Sequence, residues 1–128
     1  MFENDYVMRM IKEMVRTLIK LIFQIDTEKT EELHLEKEVA EELDRLQKLA
    51  DAGLVNQAEN ELLEELDTQN KQDFQLALLF YEYLNRKDTE FLKAYDFSRE
   101  EISQGIRNVT EMYGYGSMLG AFAEEETL

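Results

Sequence analysis

The 128-residue chain contains no cysteine, no proline and no tryptophan, and it has five glycines and a single histidine. Without cysteine there is no disulfide, no thiol nucleophile and no thiolate ligand for a metal. Without proline nothing rigidly interrupts a helix. Leu, Glu, Lys, Gln and Ala, all strong helix formers, dominate instead, which predicts an all-α fold. Bases are short too: 14 Lys and Arg stand against 29 Asp and Glu, a net charge of −15. That excludes a nucleic-acid partner, because phosphates need a basic surface. Long apolar runs are also missing. Arg9, Lys12, Glu13, Arg16 and Lys20 interrupt the most apolar stretch every three or four residues. A membrane span needs about 20 mostly apolar residues, so none is expected. Nor is a targeting segment. The expected location is cytoplasmic.

Periodicity divides what is present into about six helices. One compact domain is expected, in three parts: an amphipathic helix within 1–25, a helical domain over 30–114 and a glycine-containing acidic tail over 115–128. Helix 2 is expected to follow a Thr30 cap and to carry Leu35, Val39, Leu43, Leu46, Leu49 and Ala50 inward until Gly53 stops it. Val55, Ala58, Leu62 and Leu66 mark helix 3, and residues 67–72 read as a loop. An Asp73 cap opens helix 4, whose Phe74, Leu76, Ala77, Leu78, Leu79, Phe80, Tyr81, Tyr83 and Leu84 cover nearly every face. A helix apolar all round belongs at the centre of a domain. Helix 5 is short, about Thr89 to Tyr95. Ser98 and Glu101 form a capping box for helix 6, which Gly114 ends. The tail beyond is expected to be loosely held.

The first helix carries the sharpest functional signal. Val7, Ile11, Met14, Leu18, Leu21 and Ile25 are spaced four, three, four, three and four, an a/d seam suited to pairing with another helix. Met10, Val15, Ile19, Ile22 and Phe23 widen the apolar surface beyond one seam. Two seams therefore compete for the chain's own core, and the first is the candidate dimer interface. Within residues 6–25 four bases against one acid give a local charge of +3 on a strongly acidic body. Such a helix can dock on its own domain, on a second copy or on a membrane surface.

Two resemblances add to this reading. Leu46, Leu49, Ala50, Gly53, Val55, Ala58 and Leu62 resemble the tetratricopeptide repeat, with Gly53 closing one helix and Ala58, five residues on, letting the next approach it. The likeness is local, and a solenoid needs about three repeats, which this chain cannot supply. It implies tetratricopeptide-like helical hairpins. The opening Met1-Phe-Glu-Asn-Asp-Tyr-Val-Met-Arg-Met-Ile11 and the later Tyr95-Asp-Phe-Ser-Arg-Glu-Glu-Ile102 resemble a family of short helical proteins of unknown function from Gram-positive bacteria. That resemblance implies a helical fold and no activity.

No residue set amounts to a catalytic or metal signature. Glu31, His34 and Glu38 share a helix face, but a bundle di-metal site needs a second Glu-x-x-His and two further glutamates. Gly114, Gly116 and Gly120 follow a helix, whereas phosphate loops follow a strand. Tyr81, Tyr83, Phe80 and Phe91 could line a pocket, although aromatics at helical spacing usually fill cores. Glu41, Glu42, Glu61, Glu64, Glu65, Glu100 and Glu101 read as solvated faces. The expectation is a non-enzymatic protein-interaction module acting as a homodimer, with no metal, no cofactor and an unidentified protein partner. The alternatives are a peripheral membrane-surface adaptor and an enzyme using buried carboxylates.

Overall fold

A computed structural model describes residues 2–23 and 35–120. The described residues form α1 (Phe2–Phe23), α2 (Lys37–Asp51), α3 (Val55–Glu65), α4 (Lys71–Asn85), α5 (Thr89–Ala94), α6 (Arg99–Met112) and a 3₁₀ turn (Gly116–Leu119), with no strand among them. The all-α expectation of six helices therefore holds.

Local chemistry sets most of the helix ends. Ser98 caps α6: its Oγ accepts from the Glu101 N–H at 3.2 Å and donates to the Glu101 carboxylate at 3.2 Å. The glutamate thus reaches back to the serine hydroxyl rather than to the backbone. Asp88 caps α5 by accepting from the Phe91 N–H at 2.7 Å. Two expected caps are corrected. Helix α4 starts at Lys71 behind Asn70, whose Oδ1 accepts from the Gln72 N–H at 2.9 Å. Asn70 is extended, as a cap must be. Asp73 lies inside the first turn and accepts from the Asp67 N–H at 3.0 Å, which ties down the preceding loop. Helix α2 starts at Lys37 behind Glu36, so Leu35, which packs on the core, lies ahead of the helix rather than inside it; Thr30 itself lies outside the described residues.

Three helices end in the same left-handed turn. After α2, Gly53 takes φ +89°, its N–H donates to Ala50 and the Leu54 N–H donates to Leu49. After α6, Gly114 does the same at φ +83°. After α5 the position falls to Asp96, at φ +58°, with the Asp96 N–H on Lys93 and the Phe97 N–H on Leu92. Asn56 Nδ2 donates to the carbonyls of Tyr95 and Asp96, each at 3.3 Å, so the α3 start is pinned to the α5 turn.

Helix α4 packs against α1, α2 and α6, while α2 and α3 form a hairpin and α1 also packs on α6. Phe74, Ala77, Leu78, Phe80, Tyr81 and Leu84 of α4 are wholly buried, as a helix apolar on every side requires. Ile11, Met14, Leu18 and Ile19 of α1, Leu46 and Ala50 of α2, Val55 and Ala58 of α3, and Ile102, Ile106 and Val109 of α6 close around it. The start of the expected loose tail is packed as well: Leu119 is buried, and the rings of Tyr113 and Tyr115 stack on Phe74 at 4.7 and 5.8 Å. An aromatic ring has too much apolar surface to leave in water beside a core that can take it. Residues 121–128 lie outside the description.

Some of the polar groups that α4 drags inside are matched from its neighbours. Tyr81 is buried, and its hydroxyl donates to Glu59 of α3 at 2.7 Å. The hydroxyl end of its ring abuts α6 at Gly105, where a Cβ would come within 2.5 Å of Cζ. Burial raises the Glu59 carboxyl above its ordinary value, and the nearby Glu101 raises it further. Arg99 of α6 is buried, and its guanidinium donates to the Asn85 and Lys87 carbonyls and to the Thr89 hydroxyl. It closes the elbow between α4 and α5, and its burial lowers its proton affinity.

Three outcomes follow from this packing. Leu18→Asp places an unpaired charge in the core and should cost more than about 4 kcal/mol, a large share of the about 5–15 kcal/mol that holds a domain of this kind; a strongly lowered denaturant midpoint followed by circular dichroism checks it. Gly105→Ala improves helix propensity by about 1 kcal/mol yet should destabilise by about 1–3 kcal/mol, because the Tyr81 ring has nowhere to go. Pairing it with Tyr81→Leu should recover part of the loss in a denaturant titration. Glu59→Gln tests the raised carboxyl. A folded-state value above the unfolded one, about 4.3, gives stability that is present below the unfolded value and lost as pH rises through the folded value. The glutamine variant lacks that loss, so its denaturant midpoint relative to the parent chain should climb between about pH 4 and pH 7.

Candidate functional site

The six residues of the expected seam are not brought together on one open face. Ile11, Met14 and Leu18 are fully buried in the chain's own core, together with Val15 and Ile19 of the competing seam. Val7 is half-buried against the same core. Leu21 stands 55% exposed, and Ile25 lies outside the described residues. The expected interface is corrected for Ile11, Met14 and Leu18: they face inward together with Val15 and Ile19, because α1 lies across α4 and α6 at once and needs apolar contacts for each, while Leu21 stays outside. The basic residues Arg9, Lys12 and Lys20 remain on the exposed side.

Gly53 and Ala58 sit at the α2–α3 hairpin. Gly53 supplies the left-handed turn, and the Tyr95 ring occupies the space where its Cβ would be. Ala58 is wholly buried on α3. The four aromatics considered for a pocket divide. Phe80 and Tyr81 are core, edge to face at 5.7 Å. Tyr83 and Phe91 lie half-buried beneath the Lys87 ammonium, 4.9 Å from each ring centre. Lys87 and the Tyr83 hydroxyl both donate to Asp51 Oδ1, which holds that carboxyl below its ordinary value, Lys87 first. This is a clamp between α2 and α4, not a ligand pocket. Glu31 and His34 lie outside the described residues, and among those described no group of three ligating side chains is placed to hold a metal.

An open groove of about 310 Å³ lies where α2, α3 and the start of α4 meet. Val39, Leu62, Leu66 and Leu76 contribute its apolar lining. Glu36, Glu38, Glu42, Glu65 and Asp73 bring five carboxylates to it, and no lining residue among those described is basic. Arg45 stands beside it. It grips Glu42 with two hydrogen bonds, at 2.8 and 2.7 Å, and Glu61 with a third at 2.7 Å. Arg45 thereby ties α2 to α3 and holds Glu42 ionised, below its ordinary value. Glu65 meets that carboxylate across the groove and is raised by it. With only Glu42 of its five carboxylates paired to Arg45, the groove combines apolar area with an excess of negative charge, a combination that favours a cationic, partly apolar guest.

Glu59 and Glu82 also have raised carboxyls, chiefly through burial, but they are not a facing pair. Glu59 is bonded to Tyr81, and Glu82 lies beside Arg86 and Lys12 toward α1. Sequence reasoning passed over Gly105, Arg45, Arg99 and Glu82. Gly105 alone carries a local signal: a glycine between Ile102 and Ile106, inside a helix, marks a close approach. The other three look like any charged residue on a helix until their neighbours are known.

No curated protein and no solved structure matches the chain. Residues 1–114 of the 128 match the family of unknown function DUF6483, and with a match over that much of its length the chain belongs to this family.

Proposed function

We propose that this chain is a non-enzymatic protein-interaction module whose α2–α3–α4 groove takes up a basic, amphipathic segment of a partner. The observation that supports it most is Glu65, raised by the neighbouring Glu42 at the mouth of an apolar-lined groove with no base among its described lining residues. A lysine or arginine placed there relieves the repulsion, and apolar side chains on the same segment cover Val39, Leu62, Leu66 and Leu76. Helix-in-groove recognition works in this way. A second copy of the chain is one such partner, since exposed Arg9, Lys12 and Lys20 on α1 complement the groove by charge. The membrane-surface reading has less support, because the apolar face that lipid would take is packed inside. No helix among the described residues is long and apolar enough to cross a membrane.

A fluorescent lysine–leucine helical peptide, followed by polarisation, tests the groove. Micromolar binding that weakens as salt rises is expected, with no binding of the same peptide carrying glutamate for lysine. The double change Glu38→Lys, Glu65→Lys should weaken binding about tenfold or more while leaving the melting curve in place. Equal binding by that variant would sink the groove as the site. Sedimentation of the chain alone at low and high salt asks separately whether a second copy is the partner.

A further inference from the structure

A second opening, independent of the acidic groove, lies between α1 and α4. It is a cleft of about 390 Å³, lined by Met8, Arg9 and Lys12 from α1 and by Glu82, Asn85 and Arg86 from α4. That volume falls in the range of small-ligand sites, about 300–1,000 Å³. A neighbouring hollow of about 380 Å³ shares Met8 and Arg9 with it.

Two of the lining residues are polar and buried: Glu82 is 9% exposed and Asn85 is 3% exposed. Standing three residues apart on one helix, they share a face. Each keeps one oxygen without a hydrogen-bond partner among the described residues, Glu82 Oε2 and Asn85 Oδ1. Their other polar atoms are engaged. Arg86 Nε donates to Glu82 Oε1 at 3.5 Å, and Asn85 Nδ2 donates to the Met8 carbonyl at 2.9 Å. The Met8 bond fixes the Asn85 amide, since turning it over would set two oxygens against each other. Buried acceptors left open are costly, and each such group asks for a donor.

The edge of the cleft has the opposite sign. Arg9, Lys12 and Arg86 are exposed there, around the two buried oxygens. A ligand with positive charge alone is repelled by these three bases. One with negative charge alone meets a buried carboxylate and a second open acceptor. A molecule with a donor at one end and an acid at the other satisfies both layers. We propose that the α1–α4 cleft binds a small zwitterion, a primary ammonium compound bearing a carboxylate or phosphate, with its ammonium on Glu82 and Asn85 and its acid on Arg9, Lys12 and Arg86. Burial raises the Glu82 carboxyl above its ordinary value against the pull of Arg86, Asn85 and Lys12, and a seated ammonium restores the ionised form.

The test is a ¹⁵N–¹H NMR titration of the full chain with γ-aminobutyrate and with O-phosphoethanolamine. Butyrate and n-butylamine, which carry one charge each, are the controls. Saturable shifts at the amides of Met8, Arg9, Lys12, Glu82 and Asn85 are expected for at least one zwitterion, with the controls weaker by about tenfold or more. Which zwitterion responds decides between the carboxylate and the phosphate. Glu82→Gln keeps the shape and should weaken binding about tenfold, and Arg9→Gln should weaken it without disturbing the buried oxygens. The proposal is overturned if neither zwitterion gives saturable shifts up to about 10 mM. It is equally overturned if a control binds as well, or if Glu82→Gln, folded by circular dichroism, binds like the parent chain.

Discussion

Everything in this fold answers to the burial of α4. Ten of its fifteen residues are buried, so it has almost no solvent face and must be enclosed. Three helices, α1, α2 and α6, lie against it, and each brings a stripe of aliphatic side chains. Enclosure explains why α1 is apolar over so much of its circumference: it covers α4 with one part and α6 with another. It also explains the polar contacts deep in the molecule. Tyr81, Glu82 and Asn85 go inside because their helix does, and α3 and α1 then supply partners for part of what they carry. A buried polar group is tolerable only when matched. Among the described residues five buried polar atoms are left unmatched, and two of them, Glu82 Oε2 and Asn85 Oδ1, line one cleft.

Charge is arranged by the same geometry. Bases are scarce, and three of them sit where elements join. Arg45 bridges α2 and α3, Lys87 joins α4 to Asp51 at the end of α2, and Arg99 closes the turn from α4 into α5. Ion pairs on open surfaces contribute little, so the exposed pairs along single helices, such as Lys48 with Asp44, matter less than these junctions. With bases placed at the joints, acids collect on the remaining faces. Around Val39, Leu62, Leu66 and Leu76 they ring apolar surface instead of open solvent. That juxtaposition distinguishes the groove from an ordinary solvated face.

Much of this was legible in the residues themselves. Helix propensity, the missing prolines and the apolar periods lead to six helices. The Ser98 box, Gly53 and Gly114 mark ends that the backbone takes, because capping and left-handed turns depend on a few adjacent residues. The Asp73 cap was misplaced by one competing residue: Asn70, three positions earlier, could offer its side chain to the backbone first. Asp96 gave no sign of its turn, since aspartate only occasionally takes the left-handed conformation.

The sequence by itself determined which elements form, that α4 lies at the centre, and that the surface is acidic with a basic first helix. Those properties follow from local propensity and from the period of apolar residues, which a single chain displays in order. The packing of α1 against α4 and α6 is what turned Ile11, Met14 and Leu18 of one seam and Val15 and Ile19 of the other inward and left Leu21 outside. The tertiary structure alone set Tyr81 against Gly105 and Glu59, put Arg45 between two helices, gathered five carboxylates over apolar lining, and brought Glu82 and Asn85 beneath Arg9 and Lys12. Each of these joins residues far apart in the chain. Their meeting depends on the angle and register at which helices pack, which no local pattern encodes.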